Sequence, residues 1–182
     1  MPVLSDPCLS ELYPEYRGDV GPASIDLHLG SVLWFWPDNV LRDPRQDQSS
    51  MWERATLLGG SEDAHWILTP GVRFLAATRE RIRIPDDCAG QIGARSSWAR
   101  DGLSVIQGPA GYLDPGYCGS PTLELSVIGS DLVIWPGAGI AQLILHRLTS
   151  PAERPYGHPS RLSKYQGDDE PTPSRLHLEI AR

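Results

Sequence analysis

Two arginines and two hydroxyls crowd into "GARSSWARDG" (93–102), bracketed by glycines. Guanidinium and hydroxyl donors on such a turn are groups that hold an anion. Arg95 can clamp two phosphate oxygens with its planar fork, and a short helical turn capped by Ser96 or Ser97 points backbone N–H groups at the same ligand. Gly102 suits the left-handed stop of that turn, and Arg100 falls near the same face one turn on. A plain capped turn with solvated arginines uses the same residues, so the chemistry alone leaves both open.

Two further stretches pose the same choice. In "YLDPGYCG" (112–119) the Asp-Pro-Gly signal makes a turn in which Asp114 either holds its own backbone or accepts a hydrogen bond from a sugar hydroxyl, with Tyr117 packed on an apolar ligand face. In "TLELSVI" (122–128) Thr122, Glu124 and Ser126 share one strand face, and Leu123, Leu125 and Val127 the other. If the polar face is solvated, Glu124 is ordinary. If it lines a cleft, a desolvated carboxylate beside Arg100 can shuttle protons.

Arg154, Tyr156, Arg161, Tyr165, Gln166 and the single lysine, Lys164, form a basic, aromatic stretch before "DDE". Such a tail either orders over a polyanion or is an unstructured end. His177-Leu178-Glu179 is like the His-x-Glu of zinc nucleobase deaminases. That chemistry needs a following Pro-Cys-x-x-Cys, and no cysteine follows Glu179, so no zinc site is expected.

The elements that must position these groups are short. Gly 18 and Pro 17 break the 182 residues into pieces, and no helical periodicity runs longer than about three turns. "SDPCLSELY" (5–13) predicts a short helix capped by Ser5 or Asp6, with Pro7 in its first turn and Leu9 and Leu12 as its stripe. "ASIDLHLGSVLWFW" (23–36) predicts a half-buried strand with Ile25, Leu27 and Leu29 inward, Asp26 and His28 outward, and Gly30 at a bulge. Residues 37–64 read as a polar surface excursion with a short pairing or two. From 65 to 85 strands return around a Pro70-Gly71 turn, with Arg79, Arg81 and Arg83 alternating against Ile82 and Ile84. The fold class is all-β, a barrel or sandwich with short helices, in one domain spanning 1–182 with a tail from 150.

Bulk charge narrows the partners. A net charge of −7 disfavours a nucleic acid, which needs a broad basic surface, but permits a small anion in a local basic pocket. Cys8, Cys88 and Cys118 are odd in number and widely spaced, which predicts reduced thiols in a cytoplasmic protein. No apolar stretch of about 18 residues and no leader pattern is seen, so no membrane partner is expected.

In order, "PASIDLHLG", "GARSSWARDGL", "AGYLDPGYCG", "TLEL", "WPGAGIAQL" and "SPAERPYG…SKYQG…PTPSR" resemble the dCTP deaminase family, relatives of the trimeric dUTPases, across residues 22–175. The tail looks most like the bifunctional branch that releases dUMP. The resemblance implies a distorted β barrel, a homotrimer with sites at subunit interfaces, and a pyrimidine deoxynucleoside triphosphate as substrate. Glu124 would be the general base activating water at C4 of cytosine, with Arg100 and Ser96 supporting the tetrahedral centre and Arg100 keeping Glu124 ionised. Asp114 would read the 3′-hydroxyl. Arg95, Ser97, Tyr156, Lys164 and Gln166 would hold the triphosphate, with Mg²⁺ bound through phosphate oxygens and no zinc.

One segment departs from the family pattern. "LSVIQGPAGYL" (103–113) carries one residue more than usual, and Ile106 or Gln107 stands near a customary histidine. Main-chain groups around Ala110 would read the base, and Pro109 beside it supplies no N–H. The resemblance therefore implies a reshaped base pocket or weakened deamination. A dUTPase without deamination and a catalytically silent nucleotide-binding trimer are the competing expectations. Glu124 speaks against the former, where an apolar residue is usual.

Overall fold

A computed structural model describes residues 2–37, 40–105 and 111–180. In chain order they form α1 (Asp6–Leu12), β1 (Ile25–Phe35), β2 (Glu53–Arg54), β3 (Trp66–Leu68), β4 (Phe74–Thr78), β5 (Ile82–Arg83), β6 (Cys88–Ala94), α2 (Ser96–Arg100), β7 (Leu103–Val105), β8 (Tyr112–Leu113), β9 (Cys118–Gly119), β10 (Thr122–Val127), β11 (Leu132–Ile134), β12 (Gly139–Arg147) and α3 (His177–Ile180). The expected mostly-β architecture is present. One curled antiparallel sheet runs β7-β10-β4-β1-β12-β6-β8, with β2 added to β1, and two small sheets pair β11 with β3 and β5 with β9.

Strand alternation builds the core. Ile25, Leu27, Leu29 and Leu33 of β1 meet Leu123 and Leu125 of β10 and Ile140, Leu143 and Leu145 of β12 in one apolar cluster. Burying each such side chain contributes about 1.5–3 kcal/mol. The β1 register shifts between Leu29 and Leu33, where a Cβ on Gly30 would lie 2.9 Å from the Ala77 carbonyl oxygen. Glycine therefore lets β4 pass close, as the bulge expectation required. The excursion makes its short pairing through β2, which meets Trp34 and Phe35 of β1.

Two local expectations need correction, and one buried acid was passed over. Leu9 is fully buried, but Leu12 is 40% exposed because α1 ends there, and Tyr13 packs inward instead, donating its hydroxyl to the Arg83 carbonyl at 2.7 Å. The cap of α2 is Arg95, not Ser96 or Ser97. The Arg95 N–H donates to the Ile140 carbonyl at 3.2 Å, which keeps Arg95 extended at φ −76, ψ 131 and starts the helix at Ser96. Glu80, within a stretch read as alternating Arg and Ile, is only 2% exposed and forms the centre of a polar network.

Candidate active site

β10 alternates as the sequence implies, with Leu123, Leu125 and Val127 in the core and Thr122, Glu124 and Ser126 half-buried on the other face. Antiparallel pairing with β4 sets Glu124 opposite Leu75 and Thr122 opposite Ala77. That polar face does not look onto open solvent. It floors a cavity of about 430 Å³ walled by Trp52 and Arg73 at one end, Tyr112, Leu113 and Tyr117 at the other, and Tyr165, Asp168, Thr172 and Ser174 from the tail. Glu124 Oε2 is shielded from water there.

The Asp-Pro-Gly turn forms the rim. The Tyr117 N–H donates to the Asp114 carbonyl at 3.0 Å, so this backbone makes the turn the sequence predicted. The Asp114 carboxylate stays half-exposed, 4.0 Å from the Arg161 guanidinium. Gly116 sits at φ +84, where a Cβ would lie 2.7 Å from the Tyr156 carbonyl oxygen, so only glycine lets the tail pack on the turn. Tyr117 is buried, its ring 6.0 Å from that of Tyr156, and burial pushes both phenols above their ordinary range.

The tail is held against the body rather than left loose. The Gly167 N–H donates to the Cys118 carbonyl at 2.7 Å, the Ser120 N–H to the Asp168 carbonyl at 2.8 Å, and the Thr172 N–H to Thr122 Oγ1 at 3.0 Å. Gln166 bridges the rim: its Oε1 accepts from the Cys118 N–H at 3.1 Å and its Nε2 donates to the Gly116 carbonyl at 3.0 Å. The Tyr156 hydroxyl accepts from the Tyr165 N–H at 2.8 Å. Lys164 pairs with Glu179 of α3 and lies 5.7 Å from the Tyr165 ring centre.

The 93–102 turn stands apart. Arg95 Nη1 reaches the Gly139 carbonyl at 3.3 Å and Asp26 Oδ2 at 3.5 Å. Arg100 Nη1 donates to Ser96 Oγ at 3.1 Å, and Ser96, Ser97 and Arg100 are exposed. None of the four lines the Glu124 cavity. Tyr117 and Glu124 share the cavity with Tyr165 and Asp168 of the tail, whereas Asp114, Tyr156, Lys164 and Gln166 do not line it. Ala110 and Pro109 lie outside the described residues.

Sequence reasoning missed Trp52, Arg73 and Asp168. An isolated tryptophan in a polar excursion was the available signal for Trp52. The period-2 step from Leu75 back to Arg73 was the one for the arginine. Among the described residues, Asp19, His28 and Glu80 come close enough to suggest a cation site. Glu80 instead accepts the His28 backbone N–H at 2.7 Å and the Arg79 Nε–H at 3.2 Å, and its Oε1 lies 2.9 Å from His28 Nδ1. The arrangement is an ion-pair network. A larger hollow of about 560 Å³ between α1 and β5 is lined by none of the catalytic or substrate-binding candidates read from the sequence.

Residues 9–148 match the dCTP deaminase-like family. Proteins named "dCTP deaminase, dUMP-forming" from Mycolicibacterium smegmatis and Mycolicibacterium vanbaalenii are 42% and 43% identical over 166 residues, covering 90% of this chain and 86% and 85% of theirs. A crystal structure of 2′-deoxycytidine 5′-triphosphate deaminase from Agrobacterium tumefaciens superposes with a TM-score of 0.68 at 15% identity. The match covers 83% of this chain and 50% of that one, and it bears on the fold alone.

Proposed function

This chain belongs to the dCTP deaminase-like family, and from that premise and the Glu124 cavity we propose that it hydrolyses dCTP to dUTP and ammonia and carries dUTP on to dUMP and pyrophosphate. The observation that carries the reading is the placement of Glu124 on the floor of a cavity walled by Leu113 and Tyr117, which flank the Asp114 turn, and by the tail. With cytosine seated there, Glu124 takes a proton from water as the water oxygen bonds to C4, and passes that proton to N3. The carboxylate then takes the proton of the new C4 hydroxyl and delivers it to the exocyclic nitrogen, so that the C4–N bond breaks, C4=O forms and ammonia leaves. Low dielectric around the carboxylate strengthens each of these transfers.

The developing tetrahedral centre needs fixed donors, and Arg100 and Ser96 carry groups of the right type, already joined to each other. We place them in the site through a homotrimer, the Arg95–Arg100 turn of one subunit meeting the Glu124 cavity of the next. Its support is that neither Arg100 nor Ser96 lines the Glu124 cavity within one chain, although both match the family motifs. Arg95 and Ser97, with Tyr156, Lys164 and Gln166 of the tail that closes over the nucleotide, would bind the triphosphate. Asp114 would take the 3′-hydroxyl and aim water at the α-phosphorus for the second step. The phosphate-binding set offers cations and neutral donors with no carboxylate, which suits Mg²⁺ held through phosphate oxygens and water. The ion would there neutralise charge on the pyrophosphate leaving group. No described helix is long and apolar enough to cross a membrane, and a cytoplasmic site of action fits the substrate.

Two variants test the reading together. Glu124→Gln lowers ammonia release from dCTP by about 10²–10⁴-fold, and Arg100→Ala does so comparably. Co-assembled chains carrying one substitution each regain activity, because some interfaces then contain both native residues. A purified wild-type protein that releases ammonia from dCTP no faster than Glu124→Gln refutes the proposal. Failure of the mixed assembly to regain activity refutes the shared site.

A further inference from the structure

The Glu124 cavity has an end to which the family likeness assigns no role. Following β10 from Thr122 to Glu124, the opposing β4 residues are Ala77 and then Leu75. Arg73 follows two residues on, on the same face. The Trp36 N–H donates to the Arg73 carbonyl at 3.0 Å, which keeps this residue in the ladder while its side chain lines the cavity.

Trp52 completes that end. β2 anchors it by pairing with Trp34 and Phe35, and its ring stands edge-on to Trp36 with centres 5.3 Å apart at 84°. Arg42 covers Trp36 at 4.8 Å, and it feels both burial and the nearby Arg73 charge, which lower its proton affinity. The far end of the cavity is thus an aromatic wall with concentrated positive charge.

This assignment rests on the proposed deamination. The ribose leaves the pyrimidine at N1 and sits at the Asp114 rim, and C4 faces Glu124. C4 lies across the ring from N1, and seating the C5 edge rather than the N3 edge against the basic end turns a group on C5 towards Arg73 and Trp52. A guanidinium offers five N–H donors and no acceptor. It therefore rewards an oxygen at that position and gives nothing to a methyl group.

We propose that Arg73 and Trp52 set selectivity at pyrimidine C5, favouring deoxycytidine triphosphates whose C5 substituent carries a hydrogen-bond acceptor. Arg73 donates to that acceptor, and Trp52 packs against the substituent's carbon.

The test compares 5-hydroxymethyl-dCTP with 5-methyl-dCTP, which differ by one oxygen. Ammonia release by wild-type protein gives a kcat/KM ratio of about tenfold in favour of the hydroxymethyl compound, the worth of one charge-assisted hydrogen bond. Arg73→Leu collapses the ratio to within about twofold, and Arg73→Lys restores part of it. Trp52→Ala raises KM for both compounds. Equal use of the two by wild-type protein, or a ratio that survives Arg73→Leu, overturns the role of Arg73; an unchanged KM in Trp52→Ala overturns that of Trp52. Calorimetric binding of the same pair to Glu124→Gln protein, with and without Arg73→Leu, reads the preference without turnover. If wild-type protein releases no ammonia from any of these nucleotides or from dCTP, deamination fails as the function, and the calorimetric ratio still decides the selectivity of Arg73.

Discussion

Replacing Glu80 by alanine should destabilise the fold far more than its place in an arginine-rich stretch suggests. The carboxylate is 2% exposed and takes three donors. Its Oε2 accepts the His28 backbone N–H at 2.7 Å, and its Oε1 meets His28 Nδ1 at 2.9 Å and the Arg79 guanidinium at 3.1 Å. Stranding a half-buried backbone N–H costs about 1–3 kcal/mol, and losing a charge-assisted hydrogen bond about 1.5–3 kcal/mol. The Arg79 side chain is 57% exposed and regains water, so its contribution is discounted. The expected loss is about 3–5 kcal/mol, the range for opening a buried ion pair from one side. For a chain of this size that lowers Tm by about 6–20 °C. Glu80→Gln keeps one acceptor oxygen and the side-chain shape, so it should lose about 1–2 kcal/mol. Urea unfolding followed by tryptophan fluorescence, at fixed protein concentration, reads both variants. A Glu80→Ala loss below about 1 kcal/mol with an unchanged m value would show that the network does not hold β1 to the turn after β4.

Further outcomes follow from single positions. Gly116→Ala forces φ +84 on a residue with a Cβ that meets the Tyr156 carbonyl; limited proteolysis should then cut within 150–180 while the sheet resists, and ammonia release should fall. A native thiol titration should find exposed Cys8 reactive and buried Cys88 silent until denaturant is added, since burial and the neighbouring Asp87 push the Cys88 thiol up to about 11. The folded state holds that proton more tightly than the unfolded chain. Stability is therefore full below the ordinary thiol range and falls as pH climbs towards about 11, a slope that Cys88→Ala should flatten in a Tm series.

What was legible in the sequence was what local spacing controls. Period-2 alternation marked the inward faces of β1 and β10, Asp-Pro-Gly and Gly102 marked turns, and the ordered motifs marked the family. Each depends on residues close together in the chain, where sterics and side-chain direction leave few choices. Alternation states which residues share a face and is silent on what covers it. Whether Glu124 met water or a wall was decided by Trp52 and Arg73 from one direction and Thr172 and Ser174 from another, all packed over β10 from remote segments. Likewise His28, 52 residues from Glu80 in sequence, became its partner only because β1 and β4 pair, turning an apparently solvated acid into a buried one. The 93–102 turn kept its predicted character as a helical turn, but it does not line the Glu124 cavity, because which segments close that cavity is set by strand pairing that no residue spacing encodes.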